Sequence, residues 1–135
     1  MTLSNSAFSW PVRVYYEDTD AGGVVFYANY LKFFERARTE MLRDRGFEQD
    51  QLLREQNLIF VVRSVRVDYL KPARFNDLLQ ATASVVEHQK TNLTFAQTLM
   101  RGQDQLASGE IRIACLDAQT MKPKPIPLAI LETLN

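Results

Sequence analysis

Hydrophobic positions change their period twice along this chain. Val12, Val14 and Tyr16 recur at every second residue, the spacing of a β-strand. Between Val24 and Arg45 there is no Gly or Pro, and the pattern turns helical. Tyr30, Phe33, Phe34, Ala37 and Met41 follow the i, i+3, i+4, i+7, i+11 rule, while Lys32, Glu35, Arg36 and Arg43 fall elsewhere on the wheel. An amphipathic helix over Tyr30 to Arg45 is predicted, with Gly46 as its stop and Arg36–Glu40 as an i,i+4 ion pair. Three aromatics within five residues mark a helix meant to be enclosed. Residues Asp50 to Gln56 predict a second, short helical turn.

From Ile59 the period returns to two. Ile59 to Leu70 is rich in β-branched residues and stops before Pro72. Leu78 to Glu87 alternates, then Asn92 to Arg101, with Leu93, Phe95 and Leu99 on one side. Gly102-Gln103-Asp104 reads as a hairpin break before a last strand, Gln105 to Leu116. Four strands joined by short connections predict an antiparallel meander. Met121 to Pro127 holds three prolines, so it predicts an extended surface crossing before a terminal turn at 128–134. The class is therefore α+β: a five-stranded antiparallel sheet wrapped around one long central helix. With no repeat, low-complexity segment or linker, one domain over 1–135 is expected. One helix cannot cover five strands, and open edges are a hazard that self-association through the sheet would remove.

Composition narrows the function. The chain has 135 residues, 46% hydrophobic and 24% charged, which suits one globular core. Sixteen basic residues balance sixteen acidic ones, so no global field points to nucleic acid. The opening Met1 to Ala7 lacks the basic and apolar regions of a secretory signal. No apolar run approaches the ~18 residues of a transmembrane segment. A cytoplasmic protein is expected. Cys115 is the single cysteine and reads as a buried, inert thiol; His88 is the single histidine, and nothing pairs the two. No metal-ligand set and no phosphate-binding glycine loop is visible, so no cofactor is expected.

The chemistry concentrates in Val14 to Tyr30. Here a strand, the acidic Glu17-Asp18 and Asp20, the pair Gly22-Gly23 and a helix start fall within seventeen residues. Gly22-Gly23 permits a sharp turn with positive φ. Asp20 is thereby placed on a loop feeding a helix N-terminus, where free backbone N–H groups favour negative charge. Taken alone, Asp18, Thr19 or Asp20 would read as a cap of the turn or helix.

The whole string says more. Asp18-Thr19-Asp20-x-x-Gly23-x-Val25 with Tyr27, Asn29 and Tyr30 resembles the hot-dog-fold thioesterases of the 4-hydroxybenzoyl-CoA thioesterase family. Glu35-Arg36-Ala37-Arg38-Thr39-Glu40-Met41-Leu42 and Met121-Lys122-Pro123-Lys124 are most like its bacterial acyl-CoA thioesterases associated with the Tol–Pal system. The likeness runs from about Trp10 to Pro127. It implies the hot-dog fold, hydrolysis of an acyl-CoA or acyl-carrier-protein thioester, and dimers that pair into a homotetramer. It implies Asp20 as the catalytic carboxylate and the backbone of Tyr27 as the oxyanion donor. Lys90 falls where the family places basic CoA contacts, beside Arg63, Lys71, Arg74 and Arg101 as other candidates.

Asp20 would either attack the thioester carbonyl or activate a water; both routes remain open. Glu35 is the rival carboxylate, since some hot-dog thioesterases carry theirs on the central helix, but its charged surroundings suggest that it is either ion-paired or supports the site from behind. Asp18 is read as a turn or cap residue and Glu17 as strand-end solvation. The aromatics Phe26-Tyr27, where look-alikes vary between aromatics and histidine, would narrow the pocket toward short or aromatic acyl groups. Two other readings stand beside hydrolysis: a hot-dog dehydratase, for which His88-Gln89-Lys90 is a poor fit, and a non-catalytic acyl-thioester or acyl-carrier-protein binding module, peripheral at the inner membrane face.

Overall fold

The computed structural model describes residues 7–134; Met1 to Ser6, most of the opening read above for a secretory signal, and Asn135 lie outside the described residues. Five strands are present: β1 (Phe8–Arg13), β2 (Leu58–Tyr69), β3 (Leu78–His88), β4 (Asn92–Arg101) and β5 (Asp104–Asp117). The helices are α1 (Asn29–Asp44), α2 (Gln49–Gln56) and α3 (Leu128–Thr133). One antiparallel sheet in the order β1-β3-β4-β5-β2 wraps α1, the hot-dog arrangement.

Helix α1 buries the predicted stripe: Tyr30, Phe33, Phe34, Ala37 and Met41 are all buried. It packs on β1, β3 and β4, while α2 packs on β2. Phe34 reaches across to β5, where a Cβ on Gly109 would stand only 3.2 Å from the ring. The helix stops as predicted. Gly46 takes φ +94°, its N–H meets the Arg43 carbonyl at 3.0 Å, and Phe47 N–H meets that of Leu42 at 2.9 Å. These two bonds are the signature of a left-handed helix stop. At the β4–β5 hairpin, Arg101 faces Asp104 and Gly102 takes φ +59°, as a two-residue turn with glycine first requires.

Three expectations are corrected. Strand β1 ends at Arg13, and Tyr16 lies in a 3-10 turn over Tyr16–Asp18, its ring 76% exposed and stacked 3.9 Å from Phe75. The alternation stops at Val14 because the Val14 N–H and carbonyl pair with Asp77 and Asn76 of a loop, not with a strand. Second, the meander is three strands long, not four. β2 pairs with β5, from Leu58↔Asp117 to Tyr69↔Ala107, and not with β3. The link over residues 70–77 crosses the sheet end, its Leu70 and Lys71 N–H groups bonding to Leu106 O and its Pro72 O meeting Arg101. Three strand spacings are about 14 Å, well within the ~26 Å that eight extended residues can span. Third, Glu40 pairs with Arg43 at 2.5 Å, and Arg36 instead sits over the Phe33 ring, 5.8 Å from its centroid.

The C-terminal segment runs as predicted. It touches the sheet at the Leu116↔Pro123 bridge and seals the core with Ile126 and Ile130.

Candidate active site

The loop after β1 is a miniature hairpin. Asp20 N–H bonds to Val24 O at 2.9 Å and Gly23 N–H to Asp20 O at 3.0 Å, closing a tight turn over Asp20-Ala21-Gly22-Gly23. An Asp at the first position and Gly at the fourth are what such turns favour. Gly23 has φ +81°, while Gly22 lets the Asp20 carboxylate sit close: a Cβ there would lie 3.3 Å from Asp20 Oδ1 and press on that side chain. That oxygen accepts the Gly22 N–H at 2.8 Å. The turn-capping role of Asp20 is therefore real, but it occupies one oxygen. Among the described residues, Asp20 Oδ2 has no hydrogen-bond partner, and the residue is exposed.

Asp18 is the buried acid, 8% exposed, and it organises the loop. Its Oδ2 accepts Tyr15 N–H at 2.8 Å, and its carbonyl accepts Phe26 N–H and the Asn29 side-chain amide at 3.0 and 2.9 Å. The structural role expected of it is what it performs. Glu17 is exposed in the 3-10 turn.

Helix α1 begins with no side chain capping it. The N–H groups of Asn29, Tyr30 and Leu31 fold back onto the carbonyls of Phe26, Tyr27 and Ala28. Among the described residues those of Tyr27 and Ala28 donate to nothing. Two free amides at the positive end of a sixteen-residue helix form an anion-binding corner. The same short ladder that fixes Asp20, through Thr19↔Val25, feeds directly into it. Tyr27 itself is 62% exposed, its ring against Phe26 and edge-on to Tyr69. The buried Tyr30 hydroxyl accepts Ala73 N–H at 2.9 Å and donates to Lys71 O at 3.3 Å, anchoring the helix start to the β2–β3 link.

Glu35 lies elsewhere, on a pocket of ≈ 130 Å³ bounded by Arg38, Thr39, Phe60, Val62 and Phe95. Of the two roles expected of it, the ion pair is absent among the described residues; its Oε2 accepts the Thr39 hydroxyl at 2.7 Å. The reason is that Arg36 is drawn to Phe33 and Arg38 turns inward. Arg38 donates to Gln97 Oε1 at 2.9 Å, and burial pulls its guanidinium below its usual pKa, with Glu35 acting in the opposite direction. Gln97, 1% exposed, spends its amide N–H groups on the Phe34 and Thr82 carbonyls. Sequence reasoning missed this pair, although a polar residue between the inward Phe95 and Leu99 was its signal.

Lys90 is not brought to Asp20 within one chain. It sits in the β3–β4 turn, its carbonyl bonded to Ile126 N–H. β3 runs from the Asp20 end, where Leu78 pairs with Arg13, to His88, roughly 33 Å of strand, and Lys90 lies in the turn beyond it. Of the other cations named above, Lys71 pairs with Asp104 and Arg101 with Asp77. Cys115 is fully buried, and burial raises its thiol to about 11, against a weaker opposing pull from Lys124. Among the described residues no group of three or more His, Cys, Asp or Glu is placed to hold a metal ion, and no helix is long and apolar enough to cross a membrane.

One loop thus carries a carboxylate with a free oxygen and two unpaired backbone donors, the kinds of group that acyl-transfer chemistry uses. Residues 14–134 match the model of the thioesterase-like superfamily. An acyl-CoA thioesterase YbgC of Haemophilus influenzae is 50% identical over 125 residues, covering 93% of this chain and 92% of that one. An acyl-CoA thioester hydrolase YbgC of Escherichia coli is 44% identical over 129 residues, covering 95% and 96%. Among solved structures, a probable thioesterase from Bartonella henselae superposes with a TM-score of 0.86 at 34% identity, covering 90% of this chain and 99% of that one.

Proposed function

The chain belongs to the thioesterase-like superfamily, and from that premise we propose how it works: it is an acyl-CoA thioesterase that hydrolyses its substrate to free acid and thiol with Asp20 as the working carboxylate. The observation that carries the assignment is the free Asp20 Oδ2 on the loop that ends at the unpaired Tyr27 and Ala28 amides. The thioester carbonyl docks against those amides, Tyr27 foremost. Negative charge developing on its oxygen is stabilised there by a few kcal/mol, as preorganised donors commonly achieve. Asp20 then attacks the carbonyl carbon, giving a mixed anhydride that water opens, or takes the proton of an attacking water; the CoA thiolate leaves in either route. No metal or organic cofactor takes part.

The working unit is an oligomer, a dimer whose copies pair into a homotetramer. This reading is supported by the exposure of Asp20 and by the apolar edge of β2, where Val62, Val65 and Tyr69 are 50%, 43% and 44% exposed. Val61 to Ser64 of a neighbouring copy would wall the acyl pocket, and Lys90 could serve only a neighbour's CoA. We read 1–135 as one domain acting in the cytoplasm.

Asp20→Asn tests the assignment, because it keeps size and turn but removes charge. Turnover of an acyl-CoA panel should fall more than tenfold, above about 1.4 kcal/mol in barrier, with the fold unchanged by circular dichroism. Glu35→Gln, run beside it, should keep most of the activity. The reverse order would transfer the role to Glu35.

A further inference from the structure

The 70–77 crossing from β2 to β3 has almost no regular structure, yet the candidate site hangs from it. Val25 N–H bonds to Ala73 O at 2.8 Å, and Val24 forms a bridge with Arg74. On the other flank of the Asp20 loop, Val14 gives its N–H to Asp77 O and accepts that of Asn76, both at 2.9 Å. The exposed Tyr16 ring stacks on Phe75. In the first turn of α1, the Tyr30 hydroxyl accepts from Ala73 N–H and donates to Lys71 O. Both arms of the Asp20 loop and the start of α1 are therefore bonded to one irregular segment. Its shape governs how the carboxylate stands against the helix amides.

That shape is held from the β4–β5 hairpin. Arg101, the last residue of β4, donates from one guanidinium nitrogen to Pro72 O at 3.3 Å and to Asp77 Oδ2 at 2.9 Å. It ties together two points five residues apart on the crossing. Asp77 Oδ2 also accepts Arg74 N–H at 2.9 Å, and Asp77 N–H returns to Arg74 O at 3.1 Å. These bonds close a turn over Arg74 to Asp77, with Asn76 at φ +70° in the third position, which such turns fill with Gly or Asn. Asp104 completes the network, accepting from Lys71 at 3.2 Å and lying 3.9 Å from Arg101. The Arg101 and Asp77 side chains keep 32% and 22% of their exposure, and pairs this accessible contribute little to folding. Reaction geometry is less forgiving: a misplacement of about 1 Å costs roughly a hundredfold in rate.

We propose that Arg101 is a positioning residue for the hydrolysis: together with Asp77 it sets the shape of the 70–77 crossing, and through it the stance of Asp20 toward the Tyr27 and Ala28 amides. This rests on the acyl-CoA thioesterase reading above. Among the described residues Arg101 bonds to neither Asp20 nor those amides, so its effect falls on turnover of bound substrate.

Arg101→Ala should lower kcat for an acyl-CoA about tenfold while KM stays within about twofold, with the circular dichroism of the wild type. Arg101→Lys keeps a cation within reach of Asp77 and should recover part of the loss. Asp77→Asn keeps an acceptor for Arg74 N–H but removes the charge, so it should lose less than Arg101→Ala. The double variant should lose no more than Arg101→Ala alone, because both substitutions break one contact. Ile130→Val, in the buried core of α3, is the comparison: it should lower the urea midpoint and leave kcat unchanged. The proposal is overturned if Arg101→Ala keeps more than about half of the wild-type kcat, or if its loss appears in KM instead. Single losses that multiply in the double variant would overturn it too, as would an equal loss of kcat in Ile130→Val. Should Arg101→Ala fail to fold, wild-type kcat in both Arg101→Lys and Asp77→Asn overturns it. A wild-type protein that hydrolyses no acyl-CoA would instead refute the thioesterase reading.

Discussion

Strands β4 and β2 both carry a stretch that alternates apolar and polar residues, yet they live in different surroundings. β4 lies between β3 and β5 under α1, with Leu93, Phe95 and Leu99 essentially without exposure. Even its one inward polar residue, Gln97, is fully bonded. β2 is two residues longer and pairs on one side only; past Leu58 its side chains are half-buried, then exposed. Periodicity therefore tells which residues share a face and is silent on what covers it. The two sheet edges repeat the contrast. β1 is six residues long and contains Pro11, which cannot donate to a further strand, whereas β2 offers twelve residues and is interrupted only by an irregularity at Val62/Ser64. One edge is blunted; the other is left ready for another chain.

The covered half should respond most strongly. Phe34, wholly buried and reaching Gly109, links α1 to the middle of the sheet. Phe34→Ala should cost about 3–5 kcal/mol, read from urea denaturation, with Val65→Ala on β2 as the mild counterpart. A cost below that of Val65→Ala would mean that β2, not β4, lies in the core. The opposite change probes the same contact. Gly109→Ala pushes a methyl to 3.2 Å from the Phe34 ring and 3.3 Å from Val67, and overpacking of this kind costs about 1–3 kcal/mol.

The uncovered half should respond in assembly rather than folding. Val62→Arg places a charge on the exposed edge, so the folded chain should persist while light scattering reports a weakened dimer that re-forms at raised protein concentration. Activity should fall about tenfold, equivalent to ~1.4 kcal/mol, if a neighbour walls the pocket. Mixed and refolded with Asp20→Asn, it should regain activity, since mixed dimers carry one site with neither defect. No rescue despite confirmed mixed dimers would mean that each chain completes its own site.

What could be read beforehand follows the same division. The buried stripe of α1, the Gly46 stop, the Gly102 hairpin and the span of each strand after the helix came from local rules, and local rules also pointed to the Asp20 loop. The position of β2 beyond β5 did not, because alternation carries no record of a neighbour and the 70–77 crossing is set by its distant bonds to Leu106 and Arg101. Side-chain partners were the least legible. Arg36 was free to choose Phe33 over Glu40, and Glu35 took Thr39, because exposed pairs differ by only about 0.5 kcal/mol. That Lys90 lies at the far end of β3 from the Asp20 loop was implicit in the length of β3, but only once the end carrying Asp20 was fixed.

The smallest effect comes from a buried group with no part in the chemistry. Cys115, at the covered end of β5, has no exposure, and its Sγ lies 3.9 Å from Pro125 O. Burial raises its thiol from 9.0 to about 11, with Lys124 pulling weakly the other way. In the unfolded chain the thiol ionises first, so between these values the unfolded state holds fewer protons than the folded one. Stability linked to this group is therefore complete below about pH 9 and is lost as pH rises toward 11. Urea midpoints at pH 8 and pH 10.5 should fall more steeply for the wild type than for Cys115→Ala, whatever constant offset the missing sulfur introduces. Tyrosines and lysines titrate in both proteins and cancel in that difference. Parallel declines would mean that the thiol ionises as readily folded as unfolded, and that this end of β5 is open to water as the far half of β2 is.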